Sequence, residues 1–327
     1  MFKKISYRVI VIMVLALIFS LSAFSAETKV IKFSHVTSDQ DARHLAALKF
    51  KQIVETETKN QIKVEVYFGG QLGGDLDAIE GIRLGTIQMT VAGAGIFANT
   101  EPKMGITALP FLFENFEQAW AFNDSETNAE VSQLLIPKGI RVLGYWENGF
   151  RCVTNSVRPI NSPKDLQGLK IRTPENPIIL ETMKALGCEP SPLAWTEVYM
   201  ALQQKTFDGQ ENPIPLIYAA KLYEVQKYLA ITNHVYEPMP LVISENFWEG
   251  LTKEQQNIIQ AAAIEAQTYN RQLIKKQTEE MVSELKEKGM IVTTPDLKLF
   301  KEATKTVSDK FISRFGKDLV DKAYGNK

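Results

Sequence analysis

The stretch VIKFSHVTSDQDARHLAALKFKQIVETETKNQIKVEVYFGG, residues 30–70, decides the fold class of this chain. It predicts a strand at 30–34, a helix at 44–58 and a second strand at 62–68 that ends at the pair Gly69-Gly70. Two strands separated by a helix of this length form a crossover unit, in which the strands lie parallel.

The same alternation continues along the chain. Residues 76–84 predict a helix with Gly85 in the position of a C-terminal cap, 87–91 a buried strand, and 140–146 another strand. We therefore predict an α/β fold with mostly parallel sheets.

A second strand–helix unit begins at Ser162-Pro163-Lys164-Asp165, which has a cap residue, proline at the first helical position and an acid at the third. A strand at 169–172 follows it. Asn176-Pro177 then starts a helix that runs to Gly187.

The last third of the chain is mainly helical. Thr252 and Gln255 form a capping-box pattern that opens a long helix ending at Gly289. Its apolar face is predicted to contain Ile259, Ala262, Ala266, Tyr269 and Leu273. Such a helix can span two domains or pack on one core. Because no Pro/Gly/Ser-rich linker is visible, we expect the chain to cross between two lobes more than once, around a ligand cleft.

Composition argues against several kinds of site. The 327 residues include 2 cysteines and 3 histidines, none of them at HxxxH spacing, so we expect no zinc or other metal centre. The sequence has no GxSxG, GxxxxGK[ST] or GxGxxG motif. We therefore predict a binding protein without a cofactor rather than an enzyme.

The first 25 residues predict an export signal. Lys3, Lys4 and Arg8 precede the apolar run 9–21, and cleavage is expected near Ser25 or Ala26. An uncleaved anchor is the alternative. No cysteine marks a lipoprotein, so we expect a periplasmic protein. Removing these three of the 37 basic residues leaves 34 against 38 acidic residues, which does not favour a nucleic-acid partner.

Several polar residues are candidates for a binding site. Arg172 lies at a strand end, where α/β proteins place ligands, and its guanidinium matches a carboxylate; the alternative is a structural arginine paired with an internal acid. Segment 145–151 (YWENGFR) suits a hydroxylated acid or, equally, a strand with core aromatics. Segment 208–213 (DGQENP) has the residues of a turn. Trp195 suits either a sugar ring or the core, and His35 either a ligand or an internal hydrogen bond.

The two cysteines leave a similar choice. Cys152 and Cys188 would meet an oxidising compartment, where a disulfide can form. Both also lie in apolar, strand-like settings, where free buried thiols are common.

These segments resemble one known family, the substrate-binding proteins of tripartite ATP-independent periplasmic (TRAP) transporters, of the dicarboxylate (DctP) type. The resemblance extends over nearly all of the chain after the signal segment. It is carried by seven motifs in order: Phe33-Ser34-His35-Val36, Gln71-Leu72-Gly73, Leu109-Pro110-Phe111-Leu112-Phe113, Leu169-Lys170-Ile171-Arg172, Glu197-Val198-Tyr199, Asp208-Gly209-Gln210-Glu211-Asn212-Pro213 and Tyr223-Glu224-Val225-Gln226-Lys227.

The resemblance implies a two-lobed binding protein with crossing hinge strands and a long spanning helix. It implies lobe I at 26–148 plus 239–277 and lobe II at 149–238 plus 278–327. It also implies a small organic acid as ligand and TRAP membrane permease subunits as partners; a monomer suits this role.

For the site, the resemblance implies that Arg172 clamps the ligand carboxylate, assisted by Arg151 and Asn212, with Trp195 lining the pocket. We expect Glu147, Asn148 and His35 to bind ligand hydroxyl groups, because sugar acids need donors and acceptors beyond the carboxylate clamp.

The ligand is predicted from segment 145–151, which is similar to the sugar-acid branch of the family, whose members bind 2,3-diketo-gulonate and hexuronates. Sialic acid is disfavoured, because Gly93 stands where the sialic-acid branch has a pocket glutamate. We predict a hexuronate such as glucuronate or galacturonate. A C4-dicarboxylate is the alternative, followed by a ligand sensor or a secreted enzyme acting on carbohydrate acids.

Overall fold

The computed structural model describes residues 28–325. The predicted export signal, residues 1–25, lies outside them. Within the described residues, none of the helices combines the length and the apolar character that crossing a bilayer would require.

The described elements alternate between strands and helices over most of the chain. In order they are β1 (Lys29–Ser34), α1 (Ala42–Glu57), β2 (Ile62–Tyr67), α2 (Asp75–Leu84), β3 (Met89–Val91), α3 (Ala94–Phe97), α4 (Phe116–Asn123), α5 (Glu126–Gln133), β4 (Ile140–Asn155), β5 (Lys170–Thr173), α6 (Pro177–Ala185), β6 (Glu189–Pro192), α7 (Val198–Gln203), β7 (Gly209–Pro213), α8 (Ile214–Ala219), β8 (Tyr228–Ser244), α9 (Glu245–Glu249), α10 (Lys253–Glu287), β9 (Ile291–Thr293), α11 (Leu297–Thr304), α12 (Val307–Phe315) and α13 (Lys317–Ala323). Short 3₁₀ helices include Pro102–Ala108, Pro163–Leu166 and Trp195–Glu197.

The opening β–α–β unit has the predicted form. Strand β1 pairs in parallel with both β2 and β3. Helix α1 begins after Asp41, whose side chain accepts a hydrogen bond from the backbone N–H of Arg43. Helix α2 ends at Gly85, where φ is +75°, a left-handed conformation that glycine adopts without strain.

Two long strands join the two parallel sets. Strands β4 and β8 pair antiparallel over most of their lengths, with irregularities at Val142/Gly144, Glu147/Gly149 and Arg151/Val153. The described strands follow the order β2-β1-β3-β8-β4-β7-β5-β6, with β9 beside β8. The sheet is therefore mixed, and β4 extends well beyond the predicted strand at 140–146, because antiparallel pairing with β8 continues through residue 155.

The second parallel set contains β5, β6 and β7. The motif at Ser162 caps a 3₁₀ helix as predicted. The turn predicted at 208–213 is wrong: residues 209–213 form β7, and all five are buried. Strand β7 lies between β4 and β5, and the side chains of Gln210, Glu211 and Asn212 are hydrogen-bonded there.

Helix α10 confirms the predicted capping box and the predicted length. Its buried face shifts by one residue after Ala266 and continues through Gln267, Asn270 and Ile274, so the expected burial of Tyr269, which is 39% exposed, is wrong. The shift occurs because polar side chains of α10 bind the backbone of β4.

Those bonds connect α10 to β4 directly. Gln267 Oε1 accepts from the Tyr145 N–H at 2.7 Å, and Asn270 Oδ1 accepts from the Glu147 N–H at 2.6 Å. The Gln260 amide donates to the Leu143 carbonyl at 2.7 Å. Each of these three side chains thereby has a partner on β4, although Asn270 Nδ2 is buried without a partner among the described residues.

Among residues 28–325, the buried apolar residues fall into three groups. One lies around α1, β1 and the first half of α10, and another lies around Cys152, α7 and Leu285. The third includes Ile79, Ile178 and the C-terminal helices, and so contains residues of both predicted lobes. Cys152 and Cys188 are both buried and free.

Candidate functional site

A cavity lies where β4, β5, β7 and β8 approach α1, α2 and α3. Its empty volume is about 350 Å³, including open solvent at its mouth. The lining is unusually rich in charged and amide side chains and consists of Val36, Thr37, Arg43, Asp75, Gly93, Ile96, Asn148, Arg151, Arg172, Pro174, Trp195, Asn212, Leu216 and Glu237. A larger, open groove lies over α4, α5 and α10, but its arginine, Arg141, is already paired with Glu245.

The structure brings five of the seven predicted site residues to this cavity: Arg172, Arg151, Asn212, Trp195 and Asn148. Glu147 and His35 do not line it. Asn148 is the extra residue of the irregularity at Glu147/Gly149, and the Glu147 side chain instead contacts Trp120 and Tyr236.

Arg172, at the end of β5, is 3% exposed. Its Nε and Nη2 both donate to the carbonyl oxygen of Leu193, at 2.8 and 2.5 Å, and its guanidinium lies 5.8 Å from the centre of the Trp195 ring. It forms no ion pair with any residue in 28–325. Burial, and then repulsion from Arg151, lower the pKa of Arg172 to about 10, so the group remains protonated at neutral pH.

Arg151 has the opposite surroundings. Its Nε donates to Glu211 Oε2 at 2.5 Å, its Nη2 to Glu211 Oε1 at 2.7 Å, and its Nη1 to Glu237 Oε2. Burial alone would lower the pKa of Arg151, but the two carboxylates outweigh it and raise the pKa. The charge of Arg151 is therefore balanced within the protein.

Glu211 connects Arg151 to a histidine behind the cavity. Burial opposes ionisation of Glu211, but Arg151 outweighs burial and the net pKa is lowered. His234 Nε2 lies 3.2 Å from Glu211 Oε2, and its Nδ1 lies 2.8 Å from Thr232 Oγ1. Asn212, the next residue of β7, donates from Nδ2 to Gln210 Oε1 at 2.5 Å.

Three charged lining residues were not predicted from the sequence: Arg43, Asp75 and Glu237. Arg43 lies in the first turn of α1 and donates to Asn148 Oδ1 at 3.4 Å, while its buried Nε has no partner. Asp75 begins α2, and burial raises its pKa to about 6 although Arg43 acts in the opposite direction. A signal for Glu237 does exist in the sequence, since it is the single charged residue in 235–243.

The two predicted residues outside the cavity have internal partners. Glu147 Oε2 accepts from Trp120 Nε1 at 2.6 Å and from the Tyr236 hydroxyl at 2.8 Å, and burial raises the pKa of Glu147 to about 7. His35 Nε2 lies 3.1 Å from His44 Nδ1. Burial lowers the pKa of His35 to about 3, which keeps this imidazole neutral.

The cavity therefore combines three guanidinium groups with two carboxylates on its wall, together with two amides and an indole. Such a set can bind an anion that also carries hydrogen-bonding groups. The described residues contain no cluster of three or more side chains suited to a metal ion.

Comparison with known proteins agrees with this geometry. Residues 33–314 match the family described as bacterial extracellular solute-binding protein, family 7 (DctP). The 2,3-diketo-L-gulonate-binding periplasmic protein YiaO of Escherichia coli K12 is 37% identical over 306 residues, which cover 92% of this chain and 93% of that protein.

Two solved structures show how similar the fold is. A TRAP periplasmic solute-binding protein from Haemophilus influenzae with bound L-gulonate is 32% identical, with a TM-score of 0.87 over 91% of this chain and 100% of that one. Another, from Sulfitobacter sp. NAS-14.1 with bound β-D-galacturonate, is 30% identical, with a TM-score of 0.87 over the same shares.

The predicted fold class and family are confirmed, as is the prediction of a transport protein rather than an enzyme. With its mixed sheet, long helix and arginine-lined cavity, this chain belongs to the DctP family of TRAP periplasmic solute-binding proteins.

Proposed function

We propose that this protein is exported to the periplasm, captures a sugar acid, and delivers it to the TRAP membrane permease. Within that class we propose a hexuronate such as glucuronate or galacturonate. The observation that carries the proposal is Arg172, a buried guanidinium in the cavity that has no carboxylate partner among the described residues.

The electrostatics of Arg172 favour an anionic ligand. A buried charge without a counter-charge costs several kcal/mol, and a ligand carboxylate would offset that cost with two parallel hydrogen bonds. Arg151 is expected to bind a ligand carboxylate more weakly than Arg172, because Glu211 and Glu237 already neutralise its charge. We assign the clamp to Arg172, with Arg151 and Asn212 beside it and Trp195 against the ligand.

The sugar-acid class is supported by the cavity wall and by the relatives. Asn148 and Glu237 supply amide and carboxylate groups that suit hydroxyls. The relatives above bind 2,3-diketo-L-gulonate, L-gulonate and galacturonate. Glu147 and His35 lie outside the cavity. We assign them to holding the structure around it, through Trp120 and Tyr236 for Glu147 and through His44 for His35.

We further propose that the predicted lobes close on the ligand, with 26–148 plus 239–277 moving against 149–238 plus 278–327. Two hydrogen bonds between these parts support a closed arrangement. Asn99 Nδ2 donates to the Glu175 carbonyl at 2.8 Å, and Ser38 Oγ donates to the Ala219 carbonyl at 3.5 Å.

The proposal is tested by thermal unfolding of the protein purified from the periplasm, unfolded and refolded to remove bound ligand. The panel is glucuronate, galacturonate, L-gulonate, 2,3-diketo-L-gulonate, succinate, malate and sialic acid. A ligand at 100 times its Kd adds about 2.7 kcal/mol to the free energy of unfolding. We expect the largest shift with a hexuronate and no shift with Arg172→Ala.

The matched control is Arg158→Ala. Like Arg172, Arg158 donates to backbone carbonyls, those of Asp165 and Gln167, but it lies away from the cavity. A shift with succinate or malate alone would replace the sugar acid with a dicarboxylate. No shift with any acid, or an undiminished shift in Arg172→Ala, would refute the carboxylate clamp.

A further inference from the structure

Glu237 has two carboxylate oxygens in very different situations. Oε2 accepts hydrogen bonds from Asn148 Nδ2, at 2.8 Å, and from Arg151 Nη1. Oε1 is buried and has no partner among the described residues. A buried carboxylate oxygen without a donor is costly, so this atom marks a position where a donor is missing.

The free oxygen of Glu237 lies against Gly93. A Cβ atom added to Gly93 would lie 2.4 Å from Oε1, so the carboxylate occupies the space that any side chain at position 93 would need. Both residues line the cavity. The glycine therefore lets a carboxylate from β8 reach this part of the wall.

The carboxylate is held in this orientation from behind. Arg151 can only donate, and Glu211 fixes it through Nε and Nη2. Asn148 presents its amide N–H group to Glu237 because its Oδ1 accepts from Arg43. Oε2 is thus saturated by two donors, and Oε1 remains as an acceptor at the cavity wall.

We propose that Glu237 is a specificity-determining residue, whose Oε1 accepts a hydrogen bond from a hydroxyl group of the bound acid. This inference rests on the proposed function and specifies the ligand class. A ligand hydroxyl can donate to Oε1, whereas the second carboxylate of a dicarboxylate has no proton to donate and would be repelled. Glu237 therefore selects hydroxylated acids and rejects dicarboxylates.

A second acceptor on the same wall supports the selection of ligands with several hydroxyls. Asp75 Oδ1 is also buried without a partner, and Asp75 lines the cavity with Glu237. Two acceptors awaiting donors suit a polyhydroxylated chain or ring. A simple dicarboxylate would leave both oxygens unsatisfied.

Glu237→Gln tests the proposal because the geometry determines how the amide must turn. Arg151 and Asn148 both donate to the Oε2 position, so the amide oxygen has to take that place. The amide NH₂ then faces the cavity, and an acceptor becomes a donor. We expect the Kd for the best-binding sugar acid to rise about tenfold or more, and the Kd for succinate to stay the same or fall.

The readout is isothermal titration with that sugar acid and with succinate, for the unchanged protein and two variants. Glu245→Gln is the matched control, since Glu245 is a largely buried carboxylate paired with Arg141 outside this cavity. We expect it to leave the preference unchanged. An equal loss for both ligands in Glu237→Gln, or no change in preference, would overturn the proposal.

The unchanged protein provides a measurement that does not depend on a variant folding. It should bind gluconate, a hydroxylated six-carbon acid with one carboxylate, at least about tenfold more tightly than hexanoate, which has the same skeleton without hydroxyls. Equal binding would overturn the role of Glu237 while leaving the carboxylate clamp intact. If no acid of the panel binds, the proposed function itself fails and this inference fails with it.

Discussion

The two sides of the cavity balance charge in different ways. On the Arg151 side, made of Arg151, Glu211 and Glu237, the guanidinium has two protein carboxylates. On the Arg172 side, Arg172 contacts the Leu193 carbonyl and the Trp195 ring. The same residue type therefore has two functions: the first arginine is part of the folded structure, and the second is available to a ligand.

The largest expected effect comes from making the same change on both sides. Arg151→Met leaves two buried carboxylates without their counter-charge and should lower the free energy of unfolding by about 3–5 kcal/mol. Arg172→Met removes an unpaired buried charge and also loses the hydrogen bonds to the Leu193 carbonyl. These two effects oppose each other, so the free energy of unfolding should change by no more than about 1 kcal/mol. Urea unfolding without ligand measures both, and equal losses would contradict the distinction.

Asp75, a third carboxylate near these arginines, should make the stability of the protein depend on pH. Burial raises the pKa of Asp75 from 3.8 to about 6, so the folded state binds this proton more tightly than the unfolded chain does. Stability due to this group therefore falls as pH rises from about 4 to about 6, and stays at the lower level above that range.

Asp75→Asn should remove that loss. The variant should match the parent in stability below pH 4 and exceed it by about 3 kcal/mol at pH 7. Urea unfolding at pH 4, 5, 6 and 7 provides the profile. A stability difference that does not vary with pH would show that Asp75 ionises normally in the folded protein.

The smallest effect is expected at Asn148, which connects Glu237 to Arg43. Asn148→Ala removes one donor from Glu237 and one amide from the cavity wall. The Kd for a sugar acid should rise about fivefold, and the Kd for succinate should rise less, because succinate has no hydroxyl groups to be placed. Isothermal titration with both ligands measures these changes. An equal loss of affinity for the two ligands would exclude a role of Asn148 in hydroxyl recognition.

The local elements were largely predictable from the sequence, whereas the crossing strands were not. The unit β1-α1-β2 is encoded by contiguous patterns, with Asp41 and Gly85 marking helix ends. The extent of β4 depends on β8, about ninety residues later in the chain. The polar strand β7 looked like a turn because its amides and carboxylate find partners only in the folded sheet.

The site was predictable only where a residue could be recognised from its local sequence. Arg172 and Trp195 follow from position and resemblance, and the structure places both at the cavity. Glu237 stands out in the sequence as the single charged residue in 235–243, but its place in the site is seen only from its contacts with Gly93 and Asn148. Whether Asn148 or Glu147 faces the cavity depends on the register of β4 with β8, which the sequence alone does not specify.

Helix α10 has a consequence for aggregation. Along 143–147, β4 has β8 on one side and no strand on the other, since its pairing with β7 begins at Arg151. An unpaired strand edge is a template for joining another chain. Gln260, Gln267 and Asn270 occupy the hydrogen-bonding groups of that edge. The helix thereby covers the middle of the strand edge that lies before the pairing with β7, where a second molecule could otherwise extend the sheet.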